Sequence, residues 1–155
     1  MGMFDTFSVN ASGLTAQRYR MDVIAQNVAN ANTTRTEDGT PYVRQVVTFS
    51  EKEGKYPASF SSIFGERTSR FQTNGVKVSG TFDDTSTEGN MVYDPSHPDA
   101  DENGYVTSPN VNIITEMTNL IDASRAYEAN ATAFDSYKSM ALKGLSMGQK
   151  IDNAV

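Results

Sequence analysis

From Asn110 to Val155 the chain contains no proline, and its apolar residues recur alternately four and three positions apart. Starting at Ile113, that step reaches Met117, Leu120, Ser124, Tyr127, Ala131, Phe134, Lys138, Ala141, Leu145 and Gly148, of which eight are apolar. This is the seam of a coiled coil held over about five heptads, and Glu116, Asp122, Arg125, Glu128, Asp135 and Lys143 lie off it. A helix of roughly 36 residues is about 54 Å long at ~1.5 Å rise per residue, so it needs a partner of similar length. The same step from Met3 to Asn32 gives Phe4, Phe7, Ala11, Leu14, Arg18, Met21, Ala25, Val28 and Asn32, with Ile24 and Ala31 widening the stripe. Asn27, Asn30, Asn32, Thr33 and Thr34 form a polar, poorly helical close to that run. Two such helices read as an antiparallel pair or small bundle. They also read as terminal helices that pair with each other and with copies of the protein, because one pair leaves a second stripe, Ala126, Ala133, Met140 and Met147, without cover.

Between the helices the pattern changes. All five prolines lie there, at Pro41, Pro57, Pro95, Pro98 and Pro109, which marks the middle as non-helical. After a turn over Glu37–Pro41, the β-branched and aromatic run Tyr42–Phe49 predicts a strand. Residues 51–74, richer in Ser, Lys and Glu, are expected to form a long flexible loop. Short strands are expected at Val76–Gly80, Met91–Tyr93 and Tyr105–Thr107, with a polar turn over Asp83–Asn90. Ser108-Pro109-Asn110 then opens the long helix. The expected fold class is α+β, divided into an N-terminal helix at 1–34, a β-rich insert at 35–109 and a C-terminal helix at 110–155.

The charge distribution fits that division. The chain carries 19 acids and 13 bases. Residues 1–32 hold two of each, residues 110–155 five acids and four bases, and the middle the remaining twelve and seven. The ends are nearly neutral, as packing surfaces are, and the middle carries the acidity that favours solubility. No basic patch points to nucleic acid. An apolar fraction of 37% argues against a large compact core. With no cysteine, disulfides, thiolate metal sites and cysteine nucleophiles are all absent. The first residues lack the basic flank, apolar run and cleavage site of a secretory signal, and no stretch is expected to span a membrane.

Candidate chemistry is sparse. Asp99-Ala100-Asp101-Glu102-Asn103-Gly104 begins like an EF-hand calcium loop, but the twelfth position, where a bidentate Glu belongs, is Asn110. Pro95 to Pro98 also exclude an entering helix, so an acidic turn between two strands is the simpler reading, with a small calcium-binding module at 99–110 as the alternative. His97 is the single histidine and sits in a loop with no nucleophile turn. No cofactor, small-molecule substrate or active site is expected. The Asn-rich run Ala25–Thr33 reads either as a helix C-terminus or as amides placed for close helix packing.

Ser12-Gly13-Leu14-Thr15-Ala16-Gln17, followed by Ile24-Ala25-Gln26-Asn27-Val28-Ala29-Asn30-Ala31-Asn32-Thr33, resembles the N-terminal signature of bacterial flagellar rod and hook proteins. The stretches Val76–Val78, Tyr93–Ala100, Gly104–Val106 and Pro109–Asn112 narrow the resemblance to the proximal rod of the basal body. Glu116-Met117, Ser124–Asn130, Lys138–Met140 and Gly144-Leu145 continue it. Residues 51–74 match no pattern of that family. The resemblance implies a structural, non-catalytic axial subunit with an axial coiled-coil (D0-like) domain of paired terminal helices and the insert outside it. It implies polymerisation through the helices to transmit motor torque and line the export channel. The implied partners are copies of itself, other rod proteins (a different rod or hook-junction subunit being the alternative identity), the basal-body adapter protein, the inner-membrane ring and the flagellar export apparatus. The implied location is the basal body in the periplasmic space, reached through the type III channel without cleavage.

On this reading the helix-pairing and assembly residues are Phe4, Phe7, Leu14, Met21, Ile24 and Val28, packing on Met117, Leu120, Tyr127, Phe134 and Leu145. Asn27, Asn30, Tyr127 and Asn130 are the polar positions expected to fix register.

Overall fold

A computed structural model describes residues 3–52 and 75–152, and the side chains of residues 5–52 and 75–148. The order of elements is α1 (Met3–Ala29), β1 (Gln45–Glu51), β2 (Val76–Asp83), β3 (Asn90–Tyr93), β4 (Tyr105–Ser108) and α2 (Ile113–Asp152). The fold is α+β, and each strand falls where the β-branched and aromatic runs place it. The loop expected over 51–74 lies outside the described residues except for Glu51 and Lys52.

The helix ends follow from local chemistry. α1 stops at Ala29, three residues before the end of its apolar pattern, because Asn30 to Asn32 fold into a turn. Asn30 Nδ2 donates to the Gln26 carbonyl (3.0 Å), and the Thr33 hydroxyl donates to Asn30 Oδ1 (3.2 Å). These bonds satisfy groups that the last turn would leave open. α2 begins behind an asparagine cap: Asn112 Oδ1 accepts the N–H groups of Ile114 (3.0 Å) and Thr115 (3.2 Å).

The chain divides into two compact units. The first comprises Met1–Gln17, Phe49–Val78 and Ala126–Val155, the second Arg18–Thr48 and Ser79–Arg125. Within the first unit the start of α1 lies against the second half of α2. Phe7 and Phe134 meet edge to face with ring centroids 5.0 Å apart, and a Cβ placed on Gly13 would lie 3.1 Å from Asn130 Nδ2. Moving forward along α1 corresponds to moving back along α2, so the two helices run antiparallel here. The Ser12 hydroxyl donates to the Val9 carbonyl (2.7 Å) and accepts the N–H of Val76 (3.0 Å), tying α1 to the start of β2. Gly75 is required beside that contact. Its φ is +63°, and a Cβ there would collide with the Ser12 hydroxyl.

In the second unit the Asp84 N–H donates to the Arg44 carbonyl (2.8 Å), and the Thr48 hydroxyl reaches the Gly80 carbonyl (3.4 Å). Those pairings make β1 and β2 an antiparallel two-stranded sheet. Tyr19 on α1 shares a hydrogen bond with Thr81 on β2 (2.9 Å). β3 and β4 form a separate antiparallel pair, with Val92 opposite Val106 and Tyr93 opposite Tyr105. The buried apolar side chains of this unit are Val23, Ile24, Ala31, Val106 and Ala123.

α2 is rotated from its expected orientation. The buried positions on its first turns are Glu116 and Ala123, while Ile113 and Met117, both on the expected seam, are exposed. Among the described residues, no helix is long and apolar enough to cross a membrane.

Candidate functional site

Among the described residues, side-chain hydrogen bonds concentrate in a buried polar hub of the second unit, where the end of α1, the start of β1, the loop after β2 and the first turn of α2 converge. At its centre is Asn27, 1% exposed. Its Nδ2 donates to the Gln45 carbonyl (2.8 Å) and to Glu116 Oε2 (3.0 Å). Its Oδ1 accepts the Gln45 N–H (2.9 Å) and the Tyr42 hydroxyl (2.9 Å). Both amide hydrogens and both acceptor lone pairs are thereby used. An amide buried this far is tolerable only in that state.

Glu116 is also 1% exposed. Its Oε1 accepts from Arg44 Nε (2.9 Å) and Nη2 (2.8 Å). Arg44 Nη1 lies 3.4 Å from Asp84 Oδ2. A carboxylate in this position needs a cation and hydrogen bonds together, since either alone leaves burial uncompensated. Asn110 completes the ring. Its Oδ1 accepts the Arg44 N–H (2.7 Å), and its Nδ2 donates to the carbonyls of Asp84 (2.7 Å) and Thr87 (3.0 Å).

Two hub groups have displaced titration. The Asp84 carboxyl is held down at about 2 by the hydroxyls of Ser86 (2.6 Å) and Thr87 (3.0 Å), with backbone N–H groups of the same turn adding to it. Tyr42 is raised above its ordinary value by burial first, then by the nearby charges of Asp83 and Glu116.

The Asn-rich run therefore serves two purposes. Asn27 packs inward as the hub's central amide, and Asn30 closes the helix. Asn130 in the first unit bonds its own helix at the Ala126 carbonyl (2.9 Å) and lies over Gly13. Ile24 is buried, while Phe7, Leu14, Met21, Val28, Leu120 and Phe134 are half-buried. The Phe4 side chain lies outside the described residues.

Met117, Tyr127 and Leu145, expected to pack on α1, are exposed in the single chain, Leu145 to 65%. For Met117 the reason is the hub: turning Met117 inward would rotate Glu116 away from Arg44 and Asn27. Glu116 is the hub residue that periodicity missed, because an acid in the first turn of a helix ordinarily reads as a solvated partner of the helix dipole. The pairing that buries it spans 72 positions of sequence.

The acidic turn is built from self-contained bonds. Asp101 Oδ1 accepts the N–H groups of Asn103 (2.9 Å) and Tyr105 (2.8 Å). Asp99 instead faces the Thr34 hydroxyl (2.8 Å) and Arg35 (3.5 Å). The two carboxylates are thus turned to different partners. His97 Nδ1 accepts the Asp99 N–H (3.1 Å). Among the described residues, no group of three or more His, Asp and Glu side chains is placed to hold a metal ion.

Residues 7–35 match the family described as flagella basal body rod protein. Residues 102–147 match the family described as the C-terminal part of flagellar basal body rod FlgEFG proteins. The chain is 44% identical over 155 residues to a protein of Bacillus subtilis (strain 168) named flagellar basal-body rod protein FlgC, covering 96% of this chain and 100% of that one. A protein of the same name from Borreliella burgdorferi is 42% identical, with 96% of this chain and 99% of that one covered. Another from Salmonella typhimurium (strain LT2) is 38% identical, with 96% and 100% covered.

Proposed function

The chain belongs to the FlgC family of flagellar basal-body rod proteins, and on that footing we propose how it is built to serve as a structural subunit of the rod. It works in the flagellar basal body, in assembly with other rod proteins. α1 and α2 act together as a paired coiled-coil layer through which subunits polymerise around the export channel, with the insert at 35–109 outside that layer. The adapter protein and the inner-membrane ring are its neighbours toward the cell. The chain reaches the periplasmic space through the type III export channel, unfolded and uncleaved.

The observation that carries the assembly reading is the apolar face left open on α2. In the second unit Ile114, Met117 and Ile121 follow one another at helical spacing, all exposed. In the first unit Tyr137, Met140 and Met147, at steps of three and seven, are exposed along one face as well. Large apolar residues repeating along one helix face mark an interaction surface. Each is worth roughly 1.5–3 kcal/mol when fully covered. Contacts between unlike faces of successive copies, or of related subunits, generate an open helical assembly. A stiff rod follows, because the load is shared among many close-packed contacts. The buried hub fixes the rotation of α2 and hence which face is presented.

Deletion of the gene tests this reading. The deletion strain should lack rods and motility, and expression of this chain alone should restore both. Rescue by a different rod or hook-junction gene, but not by this one, would assign the chain to another position in the axis.

A further inference from the structure

β3 and β4 pair in the register Asn90↔Ser108, Met91↔Thr107, Val92↔Val106 and Tyr93↔Tyr105. Just beyond them the Asp94 N–H donates to the Gly104 carbonyl (2.9 Å). Alternation from that pair makes Val92/Val106 and Asn90/Ser108 the hydrogen-bonded pairs of the ladder. The N–H and C=O groups of Met91 and Tyr93 therefore point away from β4, along the outer edge of β3. Among the described residues, β3 pairs with no other strand.

The outer edge of β4 is occupied where β3's is open. The Tyr105 N–H donates to Asp101 Oδ1 (2.8 Å), and its carbonyl accepts the Asp101 N–H (2.9 Å). All four residues of β3 are exposed, Met91 to 68% and Tyr93 to 65%. Met91, Tyr93 and Tyr105 share one face of the ribbon, the two tyrosine rings meeting edge to face at 5.2 Å. Proteins ordinarily protect such an edge with lysine, proline or a bulge. Here the sequence has no Lys or Arg from Val78 to Ser124, while the same stretch holds nine acids. Of these, Glu88 lies two residues before β3 and is exposed.

We propose that the free edge of β3 is a docking site for an extended, cationic segment of a partner protein. The segment adds as a strand to Met91 and Tyr93, its side chains lie on the tyrosine face, and a Lys or Arg of it meets Glu88. Main-chain bonds supply affinity in such strand addition and side chains supply selectivity. The acidic rim determines the charge of the occupant. Pairing of two β3 edges from two copies would bring like charges together, which is unfavourable. The proposal is independent of how α1 and α2 assemble.

The test is fluorescence anisotropy of the full chain with a labelled octapeptide alternating lysine and valine, beside one alternating glutamate and valine. The lysine peptide should bind saturably, about tenfold or more tighter than the glutamate peptide, and weaken with added salt. Met91→Pro removes an outward N–H and no ladder bond. It should leave the circular dichroism unchanged and weaken binding by about tenfold or more. Glu88→Lys, a surface change, should weaken it comparably. Equal binding of the two peptides, binding indifferent to both variants, or no saturation up to about 1 mM would each overturn the proposal. So would self-association lost in Met91→Pro without peptide binding, which would make a second copy the occupant.

Discussion

Replacing Asn27 with alanine isolates the hub from the rest of the fold. Four groups lose a partner: the Gln45 N–H, the Gln45 carbonyl, the Tyr42 hydroxyl and Glu116 Oε2. A buried group left without a partner costs about 1–3 kcal/mol. Tyr42 and Gln45 are only half-buried, so water recovers part of their share. Glu116 keeps Arg44 and loses only its second oxygen's bond. Alanine's better helix propensity returns up to about 0.7 kcal/mol. The net expectation is a loss of about 3–5 kcal/mol, near the top of what single substitutions do. Asn30→Ala, three residues away, removes only a helix-end bond and should cost about 1 kcal/mol or less. Asn27→Asp keeps the shape but removes the donor that faces Glu116, placing two carboxyl groups within hydrogen-bond distance. At neutral pH it should cost at least as much as alanine. Urea unfolding of the full chain, followed by circular dichroism, measures all three. If Asn27→Ala loses under about 1 kcal/mol, or no more than Asn30→Ala, the hub does not organise the fold.

The remaining expectations rest on single contacts. Gly13→Ala should be close to neutral, since a helix gain of about 1 kcal/mol offsets the push on Asn130, whereas Gly13→Leu should cost about 1–3 kcal/mol. Combining Gly13→Leu with Asn130→Ala should return part of that loss, which a double-mutant cycle in urea would reveal. Asp84 has a depressed folded value of about 2, so the stability it contributes is present above about pH 4 and is lost as pH falls through its folded value. Asp84→Asn should remove that acid-dependent loss from a series of melts. Tyr42 is shifted the other way, above 10.0, so its contribution is present below that pH and disappears as pH rises through the folded value. Tyr42→Phe should flatten the alkaline limb while costing about 1 kcal/mol at neutral pH for the lost bond to Asn27.

The elements were readable from the sequence because their signals are local. Four-and-three spacing marks α1 and α2, the prolines bound the insert, and β-branched or aromatic runs coincide with all four strands. Rotation of α2 was not readable. Periodicity identifies an apolar face without saying whether the same chain or another one covers it, so Met117 reads as a partner of α1 although it is exposed in the single chain. What turns α2 is the bonding of Glu116 to Arg44 and Asn27, and no local pattern reports a pairing between residues 72 and 89 positions apart. The asparagines show the same limit. Asn27 and Asn30 look alike in the sequence, and only their places, one on the last turn of α1 and one just past its end, make the first a buried amide and the second a cap.

The exposed face of α2 gives the most direct measurement. Met117→Asp with Ile121→Asp alters two side chains that are already exposed in the chain, so the urea midpoint of the purified protein should stay near that of the parent. Expressed in a strain lacking only this gene, the variant should be made and exported, yet electron cryotomography should find no completed rods and swimming should be lost. Full motility and normal rods from this variant would contradict assembly through that face.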